Sequence, residues 1–169
     1  MDKFVIRGGT PLNGVITASG NKNSALKLLP ACLLTDQPII LHNIPQIQDV
    51  RNTILILQDL GVDVTELEPG SFLIHAKNLN KTVLEPTLAG RTRASFVFAG
   101  PMMARLWAIT LPLPGGVVIG GRPLDTHVHA LSSLGVDVET NRIGKFDMHV
   151  DELRGAGYLL LAEASVTAT

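Results

Sequence analysis

The sequence predicts an α/β fold made of a repeating unit (helix, strand, helix, strand, strand), present about twice and begun a third time. Three observations lead there. Leu60-Gly61-Val62-Asp63-Val64 returns as Leu134-Gly135-Val136-Asp137-Val138, 134 − 60 = 74 residues later. Each copy closes an amphipathic helical stretch, with Val50, Ile54, Leu55 and Leu57 apolar in the first and Val128, Leu131 and Leu134 in the second. Each copy is followed by two short segments of strand character separated by turn residues.

Taken in order, a leading strand is expected over residues 14–18. An apolar helix follows over 23–34, then a strand over 38–42. The amphipathic helix spans 47–60 and ends at Gly61, a residue suited to left-handed dihedrals. A hairpin pairs 62–66 with 71–75 through Pro69-Gly70. The second unit has a weak leading strand near 82–84, a helix over 93–106 and a strand over 108–113. Its second helix spans 124–134, and its hairpin pairs 136–139 with 145–149 around Gly144. Residues 158–161 read as a third leading strand, and Ser165 would open the next helix. A helix that short does not stand alone, so the sequence reads as a domain cut near its last unit or as a frayed tail. A stacked repeat scaffold with no ligand is the plainer alternative.

Composition narrows the function classes. Charged residues make up 17% and hydrophobic residues 46%, a soluble globular balance, and with aromatics at 4% the core must be aliphatic. Lys plus Arg is 14 against 15 for Asp plus Glu, so no broad basic field exists to draw nucleic acid, and no nucleic-acid partner is expected. The single cysteine, Cys32, lies among apolar residues and reads as a core thiol in a reducing compartment. No apolar run approaches the roughly 20 residues of a membrane helix, and Met1-Asp2-Lys3-Phe4-Val5 is no signal peptide; a cytoplasmic protein with no membrane partner is expected.

The charges that invite a functional reading sit where the units begin. The first unit opens Ser19-Gly20-Asn21-Lys22-Asn23 and the second Gly90-Arg91-Thr92-Arg93-Ala94-Ser95. A helix amino end already carries the positive end of its dipole, so Lys22 and Arg93 are unfavourable there for the helix itself and become sensible if an anion binds. Each taken singly also reads as a solvated surface cation. A third feature is Pro114-Gly115-Gly116-Val117-Val118-Ile119-Gly120-Gly121-Arg122-Pro123-Leu124-Asp125, a glycine-framed segment able to rearrange around a ligand or to form a long glycine-turned crossover. No phosphate-binding GxxxxGK[ST] run or HExxH occurs, and no metal or other cofactor is expected. His42 and His75 read as isolated strand-end residues. His127, close to Asp125, reads as a polar ligand contact or a surface histidine.

Together these motifs resemble the enolpyruvyl transferase family, and within it the UDP-N-acetylglucosamine 1-carboxyvinyltransferases. The residues that carry the resemblance are Met1-Asp2-Lys3-Phe4, Gly20-Asn21-Lys22-Asn23, Thr92-Arg93-Ala94-Ser95, Leu113-Pro114-Gly115-Gly116, Ile119-Gly120-Gly121-Arg122-Pro123-Leu124-Asp125, Leu134-Gly135 and Ser165-Val166. The resemblance implies an inside-out α/β architecture with three units per domain and a second, similar domain across a cleft. Residues 1–21 would belong to that second domain, and 22–169 would form the incomplete repeat domain. It implies two small-molecule partners, phosphoenolpyruvate and UDP-N-acetylglucosamine, and transfer of the enolpyruvyl group to the sugar 3-hydroxyl in peptidoglycan synthesis. Lys22 would bind phosphoenolpyruvate and Asn23 the sugar substrate. Arg93 and Arg122 would contact anionic groups. Arg122, Pro123, Leu124, Asp125 and Thr126 would line the UDP site, completed by Glu163, Ala164, Ser165 and Val166.

The sequence departs from that family in one place. Where the family carries Cys or Asp as proton donor after Pro-Gly-Gly, this chain has Val117, which has no proton to give. The general base and further arginines would lie in a carboxyl-terminal half. The expectation is that the 169 residues alone do not turn over. A non-catalytic UDP-sugar-binding or pairing module is the alternative. Association through the unfinished third unit is a further expectation. The related 5-enolpyruvylshikimate-3-phosphate synthases are disfavoured, because Gly-Asn-Lys-Asn stands where Gly-Ser-Lys-Ser would.

Overall fold

The structure, a computed structural model, describes residues 3–115, 124–140 and 144–157. Both expected units are present. The first runs α1 (Lys22–Ala31), a 3-10 turn (Cys32–Leu34), β1 (Ile39–Leu41), α2 (Gln48–Asp59), β2 (Asp63–Glu68) and β3 (Ser71–His75). A short α3 (Pro86–Ala89) leads into the second. That unit runs a 3-10 helix (Arg93–Phe98), α4 (Ala99–Leu106), β4 (Ala108–Leu111), α5 (Asp125–Ser133), β5 (Asp137–Thr140) and β6 (Phe146–His149).

The equivalence of the units extends to individual hydrogen bonds. At the end of α2, Gly61 (φ 88°) donates to Gln58 O at 3.0 Å and Val62 donates to Leu57 O at 3.1 Å. At the end of α5, Gly135 (φ 96°) donates to Ser132 O at 3.0 Å and Val136 to Leu131 O at 3.1 Å. Both helices thus stop through a left-handed glycine followed by a backward-reaching amide, as the repeated Leu-Gly-Val predicts. Each hairpin's second strand is the centre of a three-stranded antiparallel sheet, ordered β1-β3-β2 and β4-β6-β5. Ile39 faces Ile74 in one sheet and Ile109 faces Met148 in the other.

The sequence-derived boundaries move where local chemistry intervenes. Pro30 has no N–H for the helical ladder, and the helix expected to reach residue 34 finishes as the tighter 3-10 turn. The single helix expected over 93–106 is divided, because Pro101 cannot donate back across the junction and the stretch before it winds as 3-10. Trp107 then takes the left-handed position (φ 65°) that glycine takes elsewhere. The first hairpin gains a register shift between Glu66 and Glu68 ahead of Gly70.

One expected strand is absent. Residues 14–18 form no strand, and Val15 and Ile16 are 97% and 95% exposed; a strand needs a partner for its backbone, and none lies beside this segment among the described residues. The weak candidate near 82–84 does find one: Thr110 donates to Thr82 O at 2.7 Å and Leu84 to Thr110 O at 3.1 Å, placing Val83 parallel to β4. The strand expected over 158–161 and the helix opening at Ser165 lie outside the described residues.

A single core joins the units. Leu29, Leu33, Ile56 and Leu57 from the first pack with Phe98, Met102, Met103 and Ile109 from the second, all essentially buried. Each such side chain contributes about 1.5–3 kcal/mol on burial. α1, α2 and α4 carry many of the buried side chains, α5 buries only Ala130, and each sheet turns one face outward, as at Ile40 and Thr65.

Candidate functional site

The amino ends of the helices are where the predicted site residues collect. Asn21 caps α1 by accepting from the Ser24 amide at 2.9 Å, which places Lys22 as the first helical residue. Gly20, just before it, lies against the turn after β1. Asn43 adopts φ 56° there, and a Cβ on Gly20 would overlap the Asn43 carbonyl. The start of α1 is therefore clamped to the segment that leads into α2. The Lys22 ammonium meets the carboxylate of Asp49, in the first turn of α2, in a direct ion pair. Asn23 is exposed and its carbonyl accepts from Lys27 Nζ at 3.2 Å.

The second unit builds its start differently. Thr92 is buried and caps the 3-10 helix by accepting from the Ala94 amide at 3.2 Å. Ser95, also buried, places its hydroxyl 2.8 Å from Thr92 O and 3.1 Å from Ala89 O. These fix the backbone that carries Arg93, a half-buried residue near enough to His127 to affect its titration. The 3-10 helix beginning at Arg93 packs on both α1 and α2, so Lys22 and Arg93 open neighbouring helices.

His127 comes from α5. Its ring stands edge-to-face on Phe96 at 5.3 Å and 81°, and Phe96 stands in the same way on Phe146 at 5.4 Å. Its Nδ1 is shut off from solvent without a hydrogen-bond partner among the described groups. Burial, and then the Arg93 charge, hold its pKa below the usual 6.5. Of its neighbours in the predicted UDP stretch, Leu124 packs on the core, Asp125 is exposed as the first residue of α5, and Thr126 is half-buried. Val117, Arg122, Pro123, Glu163, Ala164, Ser165 and Val166 lie outside the described residues.

Three relationships escaped sequence reasoning. Asp49 reads in sequence as an ordinary acidic residue in a helix's first turn, and only the packing of α1 on α2 gives it Lys22. His127 reads as a surface or ligand-facing residue, whereas the structure turns it toward Phe96. His42 is not isolated either: its Nδ1 lies 3.1 Å from Ser71 Oγ, which donates to Glu68 at 3.2 Å. With the serine between the two, its proton points to the carboxylate and not to a histidine base, so this is a structural relay. A surface depression of about 500 Å³ beside β5, lined by residues including Gly135, Asp137, Glu152 and Arg154, contains none of the predicted residues. Among the described residues, no group of three or more His, Cys, Asp or Glu could hold a metal ion, and no helix is long and apolar enough to cross a membrane.

Comparison with known proteins bears on this arrangement. The chain is 44% identical over 169 residues to UDP-N-acetylglucosamine 1-carboxyvinyltransferase of Treponema denticola, covering 100% of this chain and 39% of that protein. It is 41% identical over 167 residues to the protein of the same name from Bradyrhizobium diazoefficiens, covering 99% and 38%. The chain thus spans well under half the length of these curated relatives. Among solved structures, the enolpyruvyl transferase NikO from Streptomyces tendae superposes with a TM-score of 0.74 at 20% identity, covering 87% of this chain and 32% of that one. An EPSP synthase from Acinetobacter baumannii gives 0.68 at 17%, covering 92% and 36%. These likenesses show the enolpyruvyl transferase-like fold. With the EPSP synthase (3-phosphoshikimate 1-carboxyvinyltransferase) family matching residues 6–169, the chain belongs to that family.

Proposed function

We propose that the chain forms the amino-terminal part of a cytoplasmic UDP-N-acetylglucosamine 1-carboxyvinyltransferase acting in peptidoglycan synthesis. The enolpyruvyl group of phosphoenolpyruvate passes to the sugar 3-hydroxyl by addition and elimination, and phosphate leaves. The observation that carries this reading is 44% identity along all 169 residues to a protein of that name. The family as a whole takes its description from the 3-phosphoshikimate enzyme. Gly20-Asn21-Lys22-Asn23 favours the sugar-nucleotide branch over it.

In this reading Lys22 holds phosphoenolpyruvate and Asn23 helps hold the sugar. Arg93 and Arg122 take anionic groups, Pro123 to Thr126 line the UDP side, and Glu163 to Val166 complete it. Cations fixed before the reaction stabilise developing charge without rearranging, which supports giving this work to residues at capped helix starts. Residues 1–21 belong with a second domain and 22–169 with the first. The exposed apolar side chains of Phe4, Val5, Ile6, Leu12, Val15 and Ile16 support that division, since they are left uncovered by the other described residues. Association through the third unit belongs to the same reading.

Val117 favours a second reading: a module that binds the UDP-sugar and does not catalyse. Isothermal titration of the purified chain with UDP-N-acetylglucosamine, with a phosphate-release assay alongside, separates the readings. Binding without turnover by the 169 residues, and turnover once the carboxyl-terminal part of a relative is added, is the expected result. No binding of the sugar nucleotide by the 169 residues, together with no turnover on complementation, would remove both readings. Binding that complementation never converts to turnover would favour the module.

A further inference from the structure

The ion pair between Lys22 and Asp49 occupies the cation on which the proposed phosphoenolpyruvate site rests. Lys22 opens α1, where a positive charge opposes the helix dipole, and Asp49 sits in the first turn of α2, where a negative charge is favoured. Both groups stand on fixed backbone. Asn21 caps α1, Gly20 is wedged against Asn43, and the fully buried Thr53 donates from its Oγ1 to Asp49 O at 2.9 Å. The pair is nonetheless open to solvent, with the lysine side chain 51% exposed and the aspartate 34%. A pair this exposed is held weakly and can exchange partners.

We infer that Asp49 is a positioning residue: an internal anion that holds the Lys22 ammonium in place and that an arriving ligand must displace. This rests on the reading that Lys22 takes an anionic ligand. A carboxylate in contact with the ammonium offsets its charge toward any second anion. An anion reaches the ammonium only while Asp49 is off it, so the carboxylate lowers the affinity of every anion by one common factor. A multiply charged anion such as phosphoenolpyruvate interacts strongly enough with Lys22 to bind despite that factor. Holding the lysine outstretched and setting the strength an anion must reach are then one device.

The test is Asp49→Asn, which keeps the shape and an oxygen to accept from the ammonium while removing the charge. Phosphoenolpyruvate, and separately acetate, are titrated into chain labelled at lysine side chains, and the Lys22 resonance, identified by its loss in Lys22→Ala, is followed by NMR. Asp49→Asn is expected to bind phosphoenolpyruvate about fivefold more tightly, the size of one unit-charge interaction over a few ångströms of water. Acetate should gain by a similar factor, and Asp49→Glu should restore the wild-type affinities. Unchanged or weaker phosphoenolpyruvate binding by Asp49→Asn, with binding lost in Lys22→Ala, overturns the role of Asp49 and leaves that of Lys22 standing. If Lys22→Ala binds as well as wild type, or if neither wild type nor Asp49→Asn shifts the Lys22 signal, the reading of Lys22 fails and this inference with it.

Discussion

Arg105 Nη1, on α4 of the second unit, donates to the Ala76 carbonyl at 2.9 Å, just beyond the last strand of the first unit. The same nitrogen lies 2.9 Å from Leu33 O and 2.8 Å from Thr35 O, where the opening helix of the first unit ends. One guanidinium thus gathers carbonyls that the helix and the strand leave over, and ties the two copies together. Arg105→Ala is expected to lower unfolding stability in urea by about 2–3 kcal/mol, since hydrogen bonds to charged groups are the strong ones. Arg105→Lys should recover part of this, because an ammonium lacks the planar fork.

The clamp between Gly20 and Asn43 makes a comparison within one segment. Gly20→Ala forces a methyl group into the Asn43 carbonyl and should cost about 1–3 kcal/mol by thermal or urea unfolding. Gly14→Ala, with nothing within 4 Å of its added carbon, should stay within about 0.5 kcal/mol of wild type. Equal losses for both would show that the start of α1 is not held as described.

The buried face of His127 predicts how stability follows pH. Its folded pKa is below the unfolded value of 6.5, so the unfolded chain binds the extra proton first as pH falls. The histidine is therefore tolerated without penalty above pH 6.5, and stability drops as the pH passes below it toward the folded value. Urea midpoints between neutral and mildly acid pH should fall more steeply for wild type than for His127→Gln. Parallel slopes would show that the ring is solvated.

Cys32 should be chemically silent in the native protein. Burial pushes its thiol up to about 11, its Sγ lies 3.2 Å from Leu28 O, and at neutral pH it is almost wholly protonated. Labelling by a thiol-reactive disulfide should be slow in buffer and immediate in denaturant. Rapid labelling in buffer would show that α1 opens readily.

Much of the fold was legible because its signals are short-range. Leu-Gly-Val repeated at the ends of α2 and α5 marks two helix stops, and both glycines take the left-handed conformation it calls for. Pro30 and Pro101 mark the points where the helices tighten, but the apolar spacing runs on through both and by itself predicts unbroken helices. Residues 14–18 have strand composition and no strand, since β structure requires a second segment and composition cannot name it.

By itself the sequence determined the unit, its repetition and which cations open its helices, because periodicity, capping and turn chemistry act over a few neighbours. Only the tertiary structure decided that Lys22 meets Asp49, 49 − 22 = 27 residues away, that Arg105 closes the first unit's loose ends, and that His127 turns inward. Those choices depend on how helices pack across the shared core, and side chains brought together by packing carry no spacing in the chain to announce them.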